Sequence, residues 1–133
     1  MGLMDSLNRS LESGVGSLGL DSDYVRVINA VLDEVLQERA KQDDKFGQQN
    51  HNTVAWMAIL TEEVGESAKE ACEVYFKQRL RFKNKEVGEL YSAGLKNLRE
   101  ELIQVAAVAV AFVESLDRNE LSTNGRKIEV RNG

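Results

Sequence analysis

Leu98-Arg99-Glu100-Glu101-Leu102-Ile103-Gln104-Val105-Ala106-Ala107-Val108-Ala109-Val110-Ala111-Phe112-Val113-Glu114-Ser115-Leu116 is the stretch whose reading decides the fold. Its centre, Val-Ala-Ala-Val-Ala-Val, is open to two readings, because β-branched residues favour sheets. A short apolar run fits a buried strand or a buried helix equally well by periodicity alone. Length separates them here: the 12 residues from Leu102 to Val113 carry no charge, which is long for a strand. They continue on both sides into charged helix formers. The stretch predicts a helix from about Leu95 to about Leu116. It falls short of the roughly 18 apolar residues that a membrane span needs.

Composition supports an all-α chain. The 133 residues contain no proline and only 6% aromatics, where average usage predicts about six or seven prolines. The length suits one compact domain with a real core. A single Cys excludes internal disulfides and four-cysteine zinc sites, and a single His excludes a two-histidine metal motif. The net charge of −5 argues against a generic nucleic-acid binder, which carries a basic surplus. With no signal-peptide order at the N-terminus, the expectation is a cytoplasmic, reduced protein. Met1-Gly2-Leu3-Met4-Asp5-Ser6 matches the myristoylation pattern, which is short enough to be matched by chance.

Working outward, residues 1–20 are rich in Gly and Ser and read as a flexible N-terminal arm. A helical domain is expected over 21–118 and a tail over 119–133, where Asn124-Gly125 signals a short hairpin. Within the domain, Asp21 or Ser22 offers an N-cap. Tyr24, Val27, Ile28, Val31, Leu32, Val35 and Leu36 then recur at helical steps, predicting a first helix to about Gln42. Lys45 to Asn52 reads as a polar break around Gly47. A second helix is expected from Asn52 or Thr53 to about Tyr75, with Trp56, Leu60, Val64, Ser67, Ala71 and Val74 on one stripe. Residues 77–94 look less regular, with Gly88 and Gly94 as punctuation.

The second helix carries the chemistry. Five acids, Glu62, Glu63, Glu66, Glu70 and Glu73, fall in 12 residues. At 100° per residue they share one sector of about 100°, beside the apolar stripe. Like charges at i,i+4 oppose helix formation. A hard divalent cation held by carboxylates would compensate. An isolated Glu-x-x-Glu is usually just a solvated acidic face. Here a second pair, Glu101 and Gln104, lies one turn apart on the next helix, and carboxylates projecting inward from facing helices build a metal cage.

The two pairs together resemble the all-α nucleoside triphosphate pyrophosphohydrolases of the MazG-like family. Those proteins carry Glu-x-x-Glu on one helix and Glu-x-x-Asp on a later one. Here the pairs read Glu63-Val64-Gly65-Glu66 and Glu101-Leu102-Ile103-Gln104. The runs Lys45-Phe46-Gly47-Gln48-Gln49-Asn50-His51 and Glu101 to Ala109 look like a phage and bacterial branch of the family. The resemblance covers roughly Val25 to Asp117. Two departures stand out: 34 residues separate Glu66 from Glu101, and Gln104 takes the usual Asp position. An amide oxygen still coordinates Mg²⁺, without supplying negative charge.

The resemblance implies a MazG-like helical bundle of three long helices plus short elements, assembled as a homodimer or homotetramer. It implies Mg²⁺, with Mn²⁺ able to substitute, on Glu63, Glu66, Glu101 and Gln104. The implied reaction is hydrolysis of a (deoxy)nucleoside triphosphate to the monophosphate and pyrophosphate, in a bacterial or phage-infected cytosol. The base is left open among dGTP, dUTP, dCTP and modified nucleotides. Glu62 is the first choice to orient or deprotonate water, beside Glu63. Lys96 and Arg99 are the phosphate candidates, and Asn50, His51 and Trp56 the base or sugar candidates. Each has a plainer reading: Trp56 as core, His51 as a local cap. The alternating Lys77, Arg79, Arg81, Lys83 and Lys85 read as a solvated loop or a phosphate-steering arm. Cys72 reads as a small packing residue. Two rivals remain, a phosphoribosyl-ATP pyrophosphatase-like enzyme and a non-enzymatic helical interaction protein. No membrane or nucleic-acid partner is expected.

Overall fold

A computed structural model describes residues 22–123 and 126–127. The expected arm over 1–20 with its myristoylation-like hexapeptide, and the Asn124-Gly125 turn, lie outside the described residues. Three helices dominate: α1 over Ser22–Phe46, α2 over Thr53–Gln78 and α3 over Lys85–Asn119. Two short strands, β1 (Ser122–Thr123) and β2 (Arg126–Lys127), pair antiparallel, with Ser122 opposite Lys127 and Thr123 opposite Arg126. The chain therefore belongs to the all-α class. Among the described residues, no helix is long and apolar enough to cross a membrane.

The chain divides into two units, Met1–Asp33 and Glu34–Gly133. In the first, the opening turns of α1 carry an exposed ion pair, Arg26 to Asp23 at 3.2 Å, and Val27, Val31 and Leu32 are exposed. In the second, α1 continues to Phe46, four residues past its expected end. Arg39 holds these last turns by donating to Gln42 Oε1 at 3.2 Å and Asp43 Oδ2 at 3.3 Å. Gly47, at φ +69°, ends the helix and donates its N–H to the Asp43 carbonyl at 2.8 Å. This left-handed cap suits a residue without Cβ.

The α2 helix starts at Thr53, as expected. Asn52 accepts from the Ala55 N–H at 2.8 Å, satisfying one of the free donors of the first turn. It runs three residues beyond the expected Tyr75 and turns through 79–84 into α3. There Asn84 caps in the same way, accepting from the Val87 N–H at 2.9 Å. This corrects the reading of 77–94 as irregular, and of α3 as starting near Leu95. Gly88 and Gly94 lie inside the helix. They are there for close approach: a Cβ on Gly94 would meet Val74 Cγ2 at 3.0 Å, and one on Gly88 the Arg81 carbonyl at 3.1 Å.

These approaches make α2 and α3 an antiparallel hairpin. Glu63 faces Glu101, Trp56 packs with Val108 and Ala111, and Val74 approaches Gly94. The core is small. Trp56, Val108 and Ala111 are buried, with Ile59, Leu60 and Phe112 packed against them. Of the α2 stripe, Trp56, Ser67 and Val74 are buried, whereas Val64 and Ala71 face solvent. The apolar run of α3 is likewise only partly covered: Ala107, Val108 and Ala111 are buried, but Leu102, Val110 and Val113 are 52%, 40% and 56% exposed. Cys72 is exposed, which removes its assignment as a packing residue in this fold.

Candidate functional site

The hairpin register brings three carboxylates together. One oxygen from each of Glu63, Glu66 and Glu101 lies within 4.8 Å of the others. Glu63 and Glu66 are one turn apart on α2, and Glu101 reaches them from α3. Ser67, buried one turn on, donates its hydroxyl to the Glu63 carbonyl at 3.1 Å and so leaves the carboxylate uncompensated. Among the described residues, Glu63 Oε2 and Glu101 Oε2 are buried without a hydrogen-bond partner.

Burial and mutual repulsion act in the same direction on this group. Glu63 is pushed above the usual carboxylate range, first by burial and then by the charges of Glu66, Glu101, Glu62 and Glu38. Glu101 is pushed up by burial, then by Glu66 and Glu70. Orphaned buried carboxylate oxygens cost free energy unless something pairs with them. All donors present are hard oxygens, the kind that Mg²⁺ and Mn²⁺ take. The residues therefore fit a divalent cation. Glu62 is exposed and lies outside the triplet. Glu38 of α1, whose charge reaches Glu63, is the carboxylate that sequence reasoning missed. Its only signal was an i,i+4 acidic pair with Glu34, which is common on any solvated helix face.

A cavity of about 380 Å³ is lined by Glu38, whose charge reaches Glu63, with Glu34, Gln37, Lys41, Arg99 and Gln104 among others. Gln104 is thus placed at a cavity wall, one turn from Glu101. Arg99 is already engaged: its two terminal nitrogens donate to the two Glu34 oxygens at 2.6 Å each. That fork holds α3 to α1 and keeps the Glu34 carboxyl below its usual range. Lys96 is exposed on a different cleft, with Arg81 and Lys85, so the two phosphate candidates do not share a site.

The Gln49 to Trp56 segment is latched to the far end of α3. Arg118 donates to the Gln49 carbonyl and to Asn50 Oδ1, both at 3.2 Å, and Asn119 Nδ2 donates to Asn50 Oδ1 at 3.0 Å. Asn50 therefore orders this loop. His51 stands edge-on to Trp56, with ring centroids 4.9 Å apart, and Phe112 stacks on Trp56 at 5.8 Å. Trp56 is core, at 3% exposure, yet it also borders a second cavity of about 220 Å³. Compared with protein-family models, with curated proteins and with solved structures, the chain matches none.

Proposed function

We propose that the protein is a divalent-metal-dependent nucleoside triphosphate pyrophosphohydrolase. The observation that carries this reading is the convergence of Glu63, Glu66 and Glu101 from two helices, with two buried carboxylate oxygens left unpaired. Those three residues would hold Mg²⁺ or Mn²⁺, with Gln104 one turn from Glu101 as a further oxygen donor. The bound cation supplies charge neutralisation at the phosphate oxygens and acidifies water. In the reaction, the oxygen of a water adds to phosphorus while the bridging bond between the α- and β-phosphates breaks. The water proton passes to a carboxylate. Glu62 and Glu38, the two carboxylates outside the triplet whose charge reaches Glu63 along with it, are the candidates for that proton. Lys41, on the wall of the Glu38 cavity and 3.9 Å from the Glu38 carboxylate, offers a cation for the phosphates, since Arg99 serves Glu34.

Self-association belongs to the same reading. Leu102, Val110 and Val113 leave an apolar strip of α3 in solvent, and covering it with a second copy gives the homodimer or homotetramer. The setting is a bacterial or phage-infected cytosol.

The test is pyrophosphate release from each common NTP and dNTP, with Mg²⁺ or Mn²⁺ and with chelator. Release from at least one nucleotide, abolished by chelator and by Glu63→Gln, is expected. Absence of release from all of them, together with no calorimetric heat on Mn²⁺ addition, would leave the helical interaction protein as the reading.

A further inference from the structure

The turn between α2 and α3 has a chemistry of its own. Residues 74–96 carry six cations, Lys77, Arg79, Arg81, Lys83, Lys85 and Lys96, against two acids, Glu86 and Glu89. The whole chain stands at −5, so its charge is separated along the molecule and the overall acid surplus does not describe this end. Salt screens charges beyond about 8 to 10 Å, and a ligand here meets the local sign. Among the described residues, no carboxylate pairs with Lys77, Arg79, Arg81, Lys83 or Lys96. Lys85 lies 4.0 Å from Glu89 with both side chains exposed, a contact that contributes little.

Aromatic rings are interleaved with these cations. Tyr75, Phe76 and Phe82 are 59%, 68% and 85% exposed, and large apolar groups clustered in solvent mark interaction surfaces. The Arg81 guanidinium lies 4.6 Å from the centroid of the Phe82 ring and 5.4 Å from that of Tyr91. It also donates to the Gln78 carbonyl at 3.4 Å. A ring and a cation are thus held side by side in the lining of an open cleft of about 720 Å³. Lys85, Glu89, Ser92 and Lys96 continue that lining along α3, at three- and four-residue steps that keep them on one face. From Lys85 to Lys96 the helix rises about 16 Å. At ~3.4 Å or more of strand per phosphate, such a track matches several phosphates in a row.

These features separate the polyanions. A lipid surface takes apolar groups projecting from a convex tip, whereas this cleft is concave and lined by Asn84 and Ser92 as well as by cations. An acidic peptide matches the cations and leaves the rings unused. A single strand of nucleic acid uses both, with phosphates on the cations and unpaired bases stacked on exposed rings. We infer that this cleft and the turn beside it bind single-stranded nucleic acid, with Arg81, Lys85 and Lys96 tracking phosphates and Phe82 stacking on a base. The inference is independent of the metal reading, and it revises the expectation, drawn from net charge, that nucleic acid is not a partner.

Fluorescence anisotropy of a labelled oligothymidylate of about 12 nucleotides, within the site sizes of single-strand binders, tests it with the full chain in chelator. Saturable binding is expected, weakening about 20- to 50-fold between about 50 and about 200 mM salt if about three or four phosphates are contacted. Phe82→Ala should weaken it about tenfold, within the range of one stacked base. Lys85→Glu should weaken it and flatten its salt dependence; an acid in the first turn of α3 favours the helix, so the loss is not one of folding. Glu89→Gln should tighten it. Circular dichroism checks the fold of each variant. No saturable binding at about 50 mM salt, or unchanged binding in either folded variant, overturns the inference. So does displacement of the strand by a poly-glutamate peptide or by thymidine monophosphate as effective as that by unlabelled strand. Co-sedimentation with phosphatidylserine vesicles in the absence of strand binding would assign the turn to lipid and overturn it equally.

Discussion

Replacing Glu63 by glutamine removes one charge from the triplet and keeps its shape. At the 4.8 Å limit separating the three oxygens and an effective dielectric of about 20, each fully ionised pair repels by about 3 kcal/mol. Glu63 takes part in two such pairs. Glu66 is exposed, so solvent screens its share, and proton uptake by the raised carboxyls relieves more. A net gain of about 1 to 2 kcal/mol remains for the variant in the absence of metal. For a chain of this size that is a rise in melting temperature of about 4 to 8 °C. With Mn²⁺ the order should reverse: the wild type gains stability by mass action, and Glu63→Gln gains much less. Thermal melts followed by far-ultraviolet circular dichroism, in chelator and at stepped Mn²⁺ concentrations, read both effects. A variant no more stable than wild type in chelator, with an undiminished response to Mn²⁺, would falsify the electrostatic account of the triplet.

Three more outcomes follow from the same structure. Because Glu63 and Glu101 are raised in the fold, they bind protons more tightly there than in the unfolded chain. Their penalty is present above the folded values and fades as pH falls through them. Glu34 is lowered by Arg99 and loses its contribution only further down, below the ordinary carboxylate range. Urea midpoints in chelator should therefore rise as pH falls from neutral toward the ordinary carboxylate range before falling below it, and a monotonic fall would contradict the assignment. Gly94→Ala should destabilise by about 1 kcal/mol despite better helix propensity, because Val74 is buried, stiff at χ1 and 3.0 Å from the new Cβ. Gly65→Ala, where a Cβ meets nothing within 4 Å, should stabilise by up to about 1 kcal/mol; equal effects at the two glycines would refute the packing argument. Sedimentation should give a dimer or tetramer that Val113→Glu dissociates, and a wild type monomeric at every concentration would end the oligomer reading.

Periodicity was enough to place Glu63 and Glu66 on one face of α2 and Glu101 on the next core helix, because a helix fixes side-chain direction every 3.6 residues. It also placed the start of α2 at Asn52 or Thr53, where the helix begins behind its Asn52 cap. It failed at Gly88 and Gly94, where helix propensity argues for a break. The competing cause is tertiary: a neighbour needs the space that a Cβ would fill. Partners across helices were equally hidden. Nothing local in Arg99 says that it forks onto Glu34, 65 residues away, or that Arg39 meets Glu114 instead of solvent. Those pairings depend on the axial offset between helices, which a one-dimensional pattern does not encode. The cavity that Trp56 borders, lined also by Arg39 and Arg118, was missed for that reason, since each of its walls looks ordinary on its own helix.

The register of the α2–α3 hairpin has a consequence for how the sequence could change. Trp56 lies opposite Val108 and Glu63 opposite Glu101, so each step of seven along one helix is matched by seven along the other. The distance from cavity to carboxylates is thus a rigid ruler, graduated by helical rise and not by any loop. A single-residue insertion between Ala107 and Ala111 would turn everything beyond it by about 100° and sever the two ends. Side-chain exchange at the cavity wall would leave the graduation untouched. Point changes near Arg39 and Arg118 can therefore alter the cavity without moving the carboxylates, whereas a longer or shorter separation would need whole helical turns gained or lost on both arms at once.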